Sequence, residues 1–536
     1  MKKKNLFLLV AIGIAAVIGY MVLQPTTKPV GEDPKVVETK VEETKATETK
    51  VEETKIVETK VDKPMNYSLA GDINNADPNF RTLTVEHELY RQIYEPLYFF
   101  NHADGKNEPR LAESYTISED GLTYTFVIKK GVKFHNGKEL KAEDVVFTVE
   151  KAAKSTYIGT TVANFESARV VDDYTAEIKL SASYASFFEN VTQLYILPKA
   201  YYEEVGEKGF SEKPIGCGAY KLASRSVGSS ITLEAFADYY RGAAPIKTVN
   251  MMIFNDLTAA AVALETGEIN MMSLNPPDVA RFSAMPNIQV VQLESPHITC
   301  VHMNTEVPPF DNPKVRQAVN YAINRDFMVR VAVDGLGKPS SNIVSPMMLG
   351  YNADAPLYDY NIEKAKQLLA EAGIETPMEV GVIGATRFGE KVAPILQENL
   401  KAIGLEAGIS VTDIGFMDEA CKGNYTIGIM GLVVYNGVAW DMDAYSILFD
   451  SKAIDAFNLP RINNPRIDEL FKLGRSATNE DERLAYYKEL NDIVQSDSGW
   501  AMLYHRFSNM TTTKNLSSTV YPPSVVYFYE CKWNDA

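Results

Sequence analysis

Cysteine, histidine and tryptophan are scarce in this chain, and positive charge is outnumbered. Its four cysteines, Cys217, Cys300, Cys421 and Cys531, are spread through 536 residues with no CxxC spacing. That excludes a recognisable zinc site and supplies no disulfide framework. Buried free thiols are the expectation, although an oxidising compartment would permit one or two bridges. The six histidines are His87, His102, His135, His297, His302 and His505. His297 and His302 stand five apart in a predicted strand and so fall on opposite faces, poor geometry for one metal. There is no G-x-S-x-G elbow, no HExxH and no P-loop. The formal charge of −17 gives no basic surface for phosphates. These absences speak against an enzyme, a nucleic-acid binder and a resident cofactor or metal.

What is present is ordinary for folded protein: 46% hydrophobic and 23% charged residues. The length suffices for two or three domains with sizeable cores. The one long uncharged run, Leu6 to Leu23, follows Lys2-Lys3-Lys4. Residues 1–25 therefore read as a signal peptide or an N-terminal membrane anchor. Bulky Tyr20-Met21-Val22-Leu23 offers no small-x-small cleavage site, and no cysteine follows for lipidation. An uncleaved anchor is the expectation. Residues 26–63 contain VVETK, VEETK, ATETK, VEETK and IVETK from Val36 to Lys60. A period of five matches neither helix nor strand, so this stretch is expected to be a disordered Glu/Lys linker.

The most informative segment is Pro109 to Asp144. Glu119-Asp120-Gly121 signals a turn, and Tyr124, Phe126 and Ile128 then alternate as in a half-buried strand. Lys130-Gly131 interrupts, Val132 and Phe134 resume, and Asn136-Gly137 turns again. A helix is predicted from about Ala142, with Glu143 and Asp144 in its first turn. Further on, Val315, Ala318, Val319, Ala322 and Ile323 mark one buried helical face, entered through Asp311 or Asn312 as N-cap with Pro313 at the first position. Asn361 to Gly373 repeats that logic and closes on a glycine.

This string of motifs resembles the family 5 extracellular solute-binding proteins, the dipeptide, oligopeptide and nickel receptors of ABC importers. Asp77-Pro78 with Tyr94-Glu95-Pro96-Leu97, Pro214 to Tyr220, Tyr239-Tyr240-Arg241-Gly242 and Ala260 to Met271 add to the resemblance. It implies an α/β fold of two lobes with a hinge and an interlobe cleft, of the large periplasmic-binding-protein type. Lobe I is expected over 64–296, with 505–536 returning to it, and lobe II over 297–504. Hinge strands are expected near His297–Met303 and His505–Asn509. The implied partners are a peptide or peptide-like solute, permease subunits with their ATPases, and the outer face of the cytoplasmic membrane. The chain is expected to work as a monomer.

By the same resemblance, Arg387 stands where dipeptide receptors hold the ligand carboxylate, a role suited to a guanidinium fork. The segment Tyr435 to Tyr445 departs from the family. Its Asp441-x-Asp443 matches a "D-P-D" motif and puts Val438 where an aspartate pairs with the ligand amine. Either Asp441 or Asp443 takes over, or the cargo lacks a free amine. Tyr435, Trp440 and Tyr445 supply aromatic surface there, Tyr445 equally well as packing. Cys217 and Tyr220, in a strand expected to border the cleft, are further candidates. Three histidines near the hinge leave a metal chelate open as cargo, and a tethered peptide sensor or chaperone is the other alternative.

Overall fold

In the computed structural model the described residues are 63–534, except 82, 84, 102–105, 356–357, 387–388, 413, 433–440 and 478. The expected anchor and linker lie outside them. Among the described residues no helix is long and apolar enough to cross a membrane.

Three large sheets organise the chain. The first has seven strands in the order Ile288–Leu293, Ser508–Thr513, Met271–Ser273, Met65–Leu69, Thr248–Ile253, Ser230–Ala235 and Tyr220–Ser226. The second has six: Gly337–Pro339, Trp500–Arg506, Ile298–Met303, Ile427–Leu432, Met378–Ala385 and Leu405–Val411. The third has four, Ala112–Ile117, Thr123–Ile128, Thr175–Leu180 and Phe165–Asp172, and forms a unit of its own beside the first. The chain leaves the first sheet after Leu293, enters the second at Ile298, and returns between Arg506 and Ser508. Two crossings that lie side by side make a hinge geometry. Pairing holds them together: Ile298 stands opposite His505, and Arg506 N–H donates to His297 O at 3.3 Å.

Local chemistry explains these elements. Strand Thr123–Ile128 alternates strictly, with Tyr124, Phe126 and Ile128 buried in the core of the four-stranded unit. Helix Ala142–Lys154 begins where the acids sit, because the Lys141 backbone N–H donates to Asp144 Oδ2 at 2.9 Å. Helix Pro313–Ala322 is capped by Asn312, whose side chain accepts from Lys314 N, and Pro313 occupies a position that needs no donor. Its buried face, with Ile323, joins the core of the second lobe. Asn361 caps helix Ile362–Glu371 in the same way, and Gly373 follows it at φ 75°.

One expected strand starts later than its sequence pattern suggests. Residues 214–219 are irregular, and the strand begins at Tyr220. The cause is close backbone approach. A Cβ on Gly216 would lie 2.1 Å from Ile93 O, and one on Gly218 2.5 Å from Gln92 O. Gly218 N–H instead donates to Ile93 O at 2.8 Å, closing the end of helix Glu86–Ile93. His135, in the Asn136-Gly137 turn, clamps the same loop: its backbone N–H donates to Gly216 O at 2.8 Å.

Candidate functional site

The seam between the lobes is built where the loop after strand Ile427–Leu432 re-enters the described residues at Asp441. Asp441 is an N-cap: its carboxylate accepts from Asp443 N–H at 2.9 Å and starts the 3₁₀ helix Met442–Leu448. That helix places the two acids differently. Asp441 Oδ2 pairs with Arg483 and accepts from Tyr487 OH at 3.0 Å. Asp443 Oδ1 accepts from Arg475 Nε at 2.7 Å. Both arginines come from lobe II, on helices Pro465–Ser476 and Glu480–Asp497. The acids' side chains are 3% and 5% exposed, so each buried charge is met by a guanidinium. Burial pushes the Asp443 carboxyl up, and Arg475 opposes the rise.

Lobe I reaches the same place through Tyr184–Asn190. Ala185 N–H donates to Arg475 O at 2.7 Å, and Ser186 Oγ donates to Asp441 Oδ2 at 3.3 Å while accepting from Arg483. Burial holds the Tyr184 phenol up at about 12, with Asp443 adding to it. Glu189, three residues after Ser186 on a short helix, keeps a buried Oε2 with no hydrogen-bond partner among the described residues. Burial raises its carboxyl, and the charge of Arg483 partly offsets that.

The sequence candidates are distributed unevenly around this seam. Asp441 and Asp443 are on it, already engaged by arginines. Arg387, Tyr435 and Trp440, with Val438, lie outside the described residues. Cys217 is fully buried in the core of the four-stranded unit, where burial pushes its thiol well up. Tyr220 is enclosed in the other core of lobe I, and its hydroxyl donates to Ile246 O at 2.9 Å. Neither presents surface to a cleft: both are 0% exposed. Tyr445 packs too: its hydroxyl donates to Pro296 O at 2.9 Å, fastening the 3₁₀ helix to the hinge. All four cysteines are free thiols.

The hinge histidines do not assemble. His302 sits inside lobe II with ring centroids of Tyr425 at 4.8 Å, Trp500 at 5.5 Å and Phe416 at 5.8 Å. Burial pushes it down to about 3, and His505 down to about 4. His297 Nδ1 and Ser295 Oγ share a 2.5 Å hydrogen bond. Among the described residues no three His, Cys, Asp or Glu side chains are grouped to hold a metal ion.

Ser186, Arg475, Arg483 and Tyr487 escaped the sequence reading. Arg483 falls in a highly charged helix, where a lone arginine reads as solvated surface. The available signal was the pair Asp441-x-Asp443: two acids in an apolar stretch require two buried cations.

Two α/β lobes joined by two adjacent crossings are the architecture of a hinged, two-lobed binding protein. The comparisons with known proteins give that class its family. A family model of bacterial extracellular solute-binding proteins, family 5 (its middle region), matches residues 106–456. Heme-binding protein A of Haemophilus influenzae is 31% identical over 450 residues, covering 77% of this chain and 82% of its own. Oligopeptide-binding protein AppA of Bacillus subtilis is 28% identical over 488 residues, covering 85% and 89%. Among solved structures, the ABC transporter substrate-binding protein CtaP of Listeria monocytogenes matches with a TM-score of 0.81 at 27% identity, over 88% of this chain and 99% of that one. The chain belongs to the family 5 extracellular solute-binding proteins. It is a solute-binding component of an ABC importer and not an enzyme.

Proposed function

We propose that this protein captures a peptide-like solute between its lobes, outside the cytoplasmic membrane, and delivers it to a permease. Support comes from relatives named for oligopeptide, dipeptide and glutathione binding. Residues 1–25 would hold the protein at the membrane and the linker 26–63 would give it reach, about 100 Å over residues 32–63 if fully extended. Arg387, Tyr435 and Trp440 are the proposed cargo contacts. The protein works as a monomer.

The observation that shapes this reading is the commitment of Asp441 and Asp443 to Arg483 and Arg475. With valine at 438 and both nearby acids neutralised, this loop has no free carboxylate for an ammonium group, and an unpaired buried ammonium is costly. The cargo is therefore held by its carboxylate, backbone and apolar groups rather than by an N-terminal amine. A non-peptide acid is the second reading, favoured by the same two ion pairs. Native mass spectrometry of the intact protein, purified gently from cells, identifies what it carries. Titration calorimetry with a tripeptide and its N-acetyl form then tests the anchoring. Equal affinities support the proposal; tight binding abolished by acetylation overturns it.

A further inference from the structure

The segment Tyr184–Asn190 is rooted in one lobe but spends its polar groups on the other. Phe187 and Phe188 are buried in the core of the four-stranded unit and fix the segment from behind. Ser186 occupies the N-cap position of helix Phe187–Val191, where a serine hydroxyl ordinarily satisfies a backbone N–H of its own helix. Here it makes no such cap. Its hydroxyl instead sits fully enclosed between Asp441 and Arg483 of lobe II. One residue earlier, Ala185 donates its backbone N–H to Arg475 O, in the last turn of helix Pro465–Ser476. Three polar bonds thus cross the seam side by side, and two of them, both at Ser186, engage a charged pair whose side chains are 3% and 7% exposed. Hydrogen bonds to charged groups in such a dry setting are stronger than neutral ones exchanged with water.

We propose that Ala185 and Ser186, gripping Arg475, Arg483 and Asp441, form a clasp that favours the closed arrangement of the lobes by itself. Ser186 is a positioning residue in this scheme. None of the clasp atoms belongs to the solute, so the clasp stabilises closure to the same extent whatever is carried. Apparent affinity follows the fraction of molecules able to adopt the bound arrangement, so a clasp of this kind raises affinity for every cargo without choosing among them. Two further acids border it: Asp443, paired with Arg475, and Glu189, on the short helix after Ser186, which shares the field of Arg483.

The clasp rests on the two-lobed receptor reading but not on the identity of the cargo. Its test is small-angle X-ray scattering of the intact protein and of Ser186→Trp, with no solute added, with amide hydrogen exchange on both and on Ser186→Ala. Wild type is expected to scatter as a closed molecule. Ser186→Trp, which wedges the seam, is expected to give a larger radius of gyration with both lobes still protected from exchange. In Ser186→Ala, exchange in 184–190 and 441–445 is expected to rise about tenfold, the effect of one hydrogen bond to a charged group. Profiles and exchange identical to wild type in both variants overturn the clasp. So does a wild-type protein already open in solution, which leaves the solute-receptor reading intact. If Ser186→Trp does not fold, the exchange of Ser186→Ala decides alone.

Discussion

Asp443 and Arg475 meet at 2.7 Å across an unequal boundary: the carboxylate is enclosed, and the guanidinium is one-third open to solvent. The same Arg475 passes its backbone carbonyl to Ala185 of the other lobe. One residue therefore neutralises the loop's second acid with its side chain and receives lobe I with its main chain.

Arg475→Ala removes the charge partner and leaves Asp443 buried without a cation. Breaking a buried pair from one side costs roughly 3–5 kcal/mol, and the partial exposure of Arg475 puts this case near the lower end, about 3 kcal/mol. Urea unfolding should show that loss. Arg475→Ala combined with Asp443→Asn should recover part of it, because no buried charge is then stranded. A double variant no better than the single one would show that the charge is not what matters.

Gly216→Ala places a methyl group 2.1 Å from Ile93 O, a backbone atom at the end of a buried helix that cannot step aside. Overpacking of this kind costs about 3 kcal/mol and is expected to loosen the loop clamped by His135. Gly267→Ala has open space around its Cβ and strain only from φ 79°, about 1 kcal/mol. Thermal unfolding of the two variants should rank them in that order.

Asp144 is held up at about 6 by burial, against an ordinary value of 3.8. Its native carboxyl binds a proton more tightly than the unfolded one, so its contribution is fully present below pH 4. It is lost as pH rises through 6. That rise in pKa corresponds to on the order of 3 kcal/mol. Denaturation from pH 4 to 7 should show wild type losing stability relative to Asp144→Asn across that window. Parallel curves would contradict the assignment.

His302 and His505 carry the opposite sign. Burial holds them near 3 and 4, below the ordinary 6.5, so their contribution is fully present above pH 6.5 and lost as pH falls through 4. Their imidazole resonances should stay constant from pH 8 to 5 in NMR spectra of histidine-labelled protein. A midpoint near 6.5 for either would mean that its ring reaches water.

Much of the fold was legible because it is written locally. The alternation of Thr123–Ile128, the Asn312-Pro313 entry to its helix and the Asn361 cap each concern neighbours along the chain. The late start of the strand at Tyr220 was not legible. Gly216 and Gly218 are demanded by the backbone of Gln92 and Ile93, more than 120 residues earlier, so periodicity could not show that the backbone there is pinned rather than extended.

The sequence by itself determined the family, the order of the elements and the unusual loop with valine at 438, because motifs and caps depend on adjacent residues. Only the tertiary structure decided what Asp441 and Asp443 do. Their partners, Arg483 and Arg475, stand 42 and 32 residues away, and Ser186 is 255 residues from Asp441. A buried charge must find its counter-charge in space, and spacing along the chain does not record which one it finds.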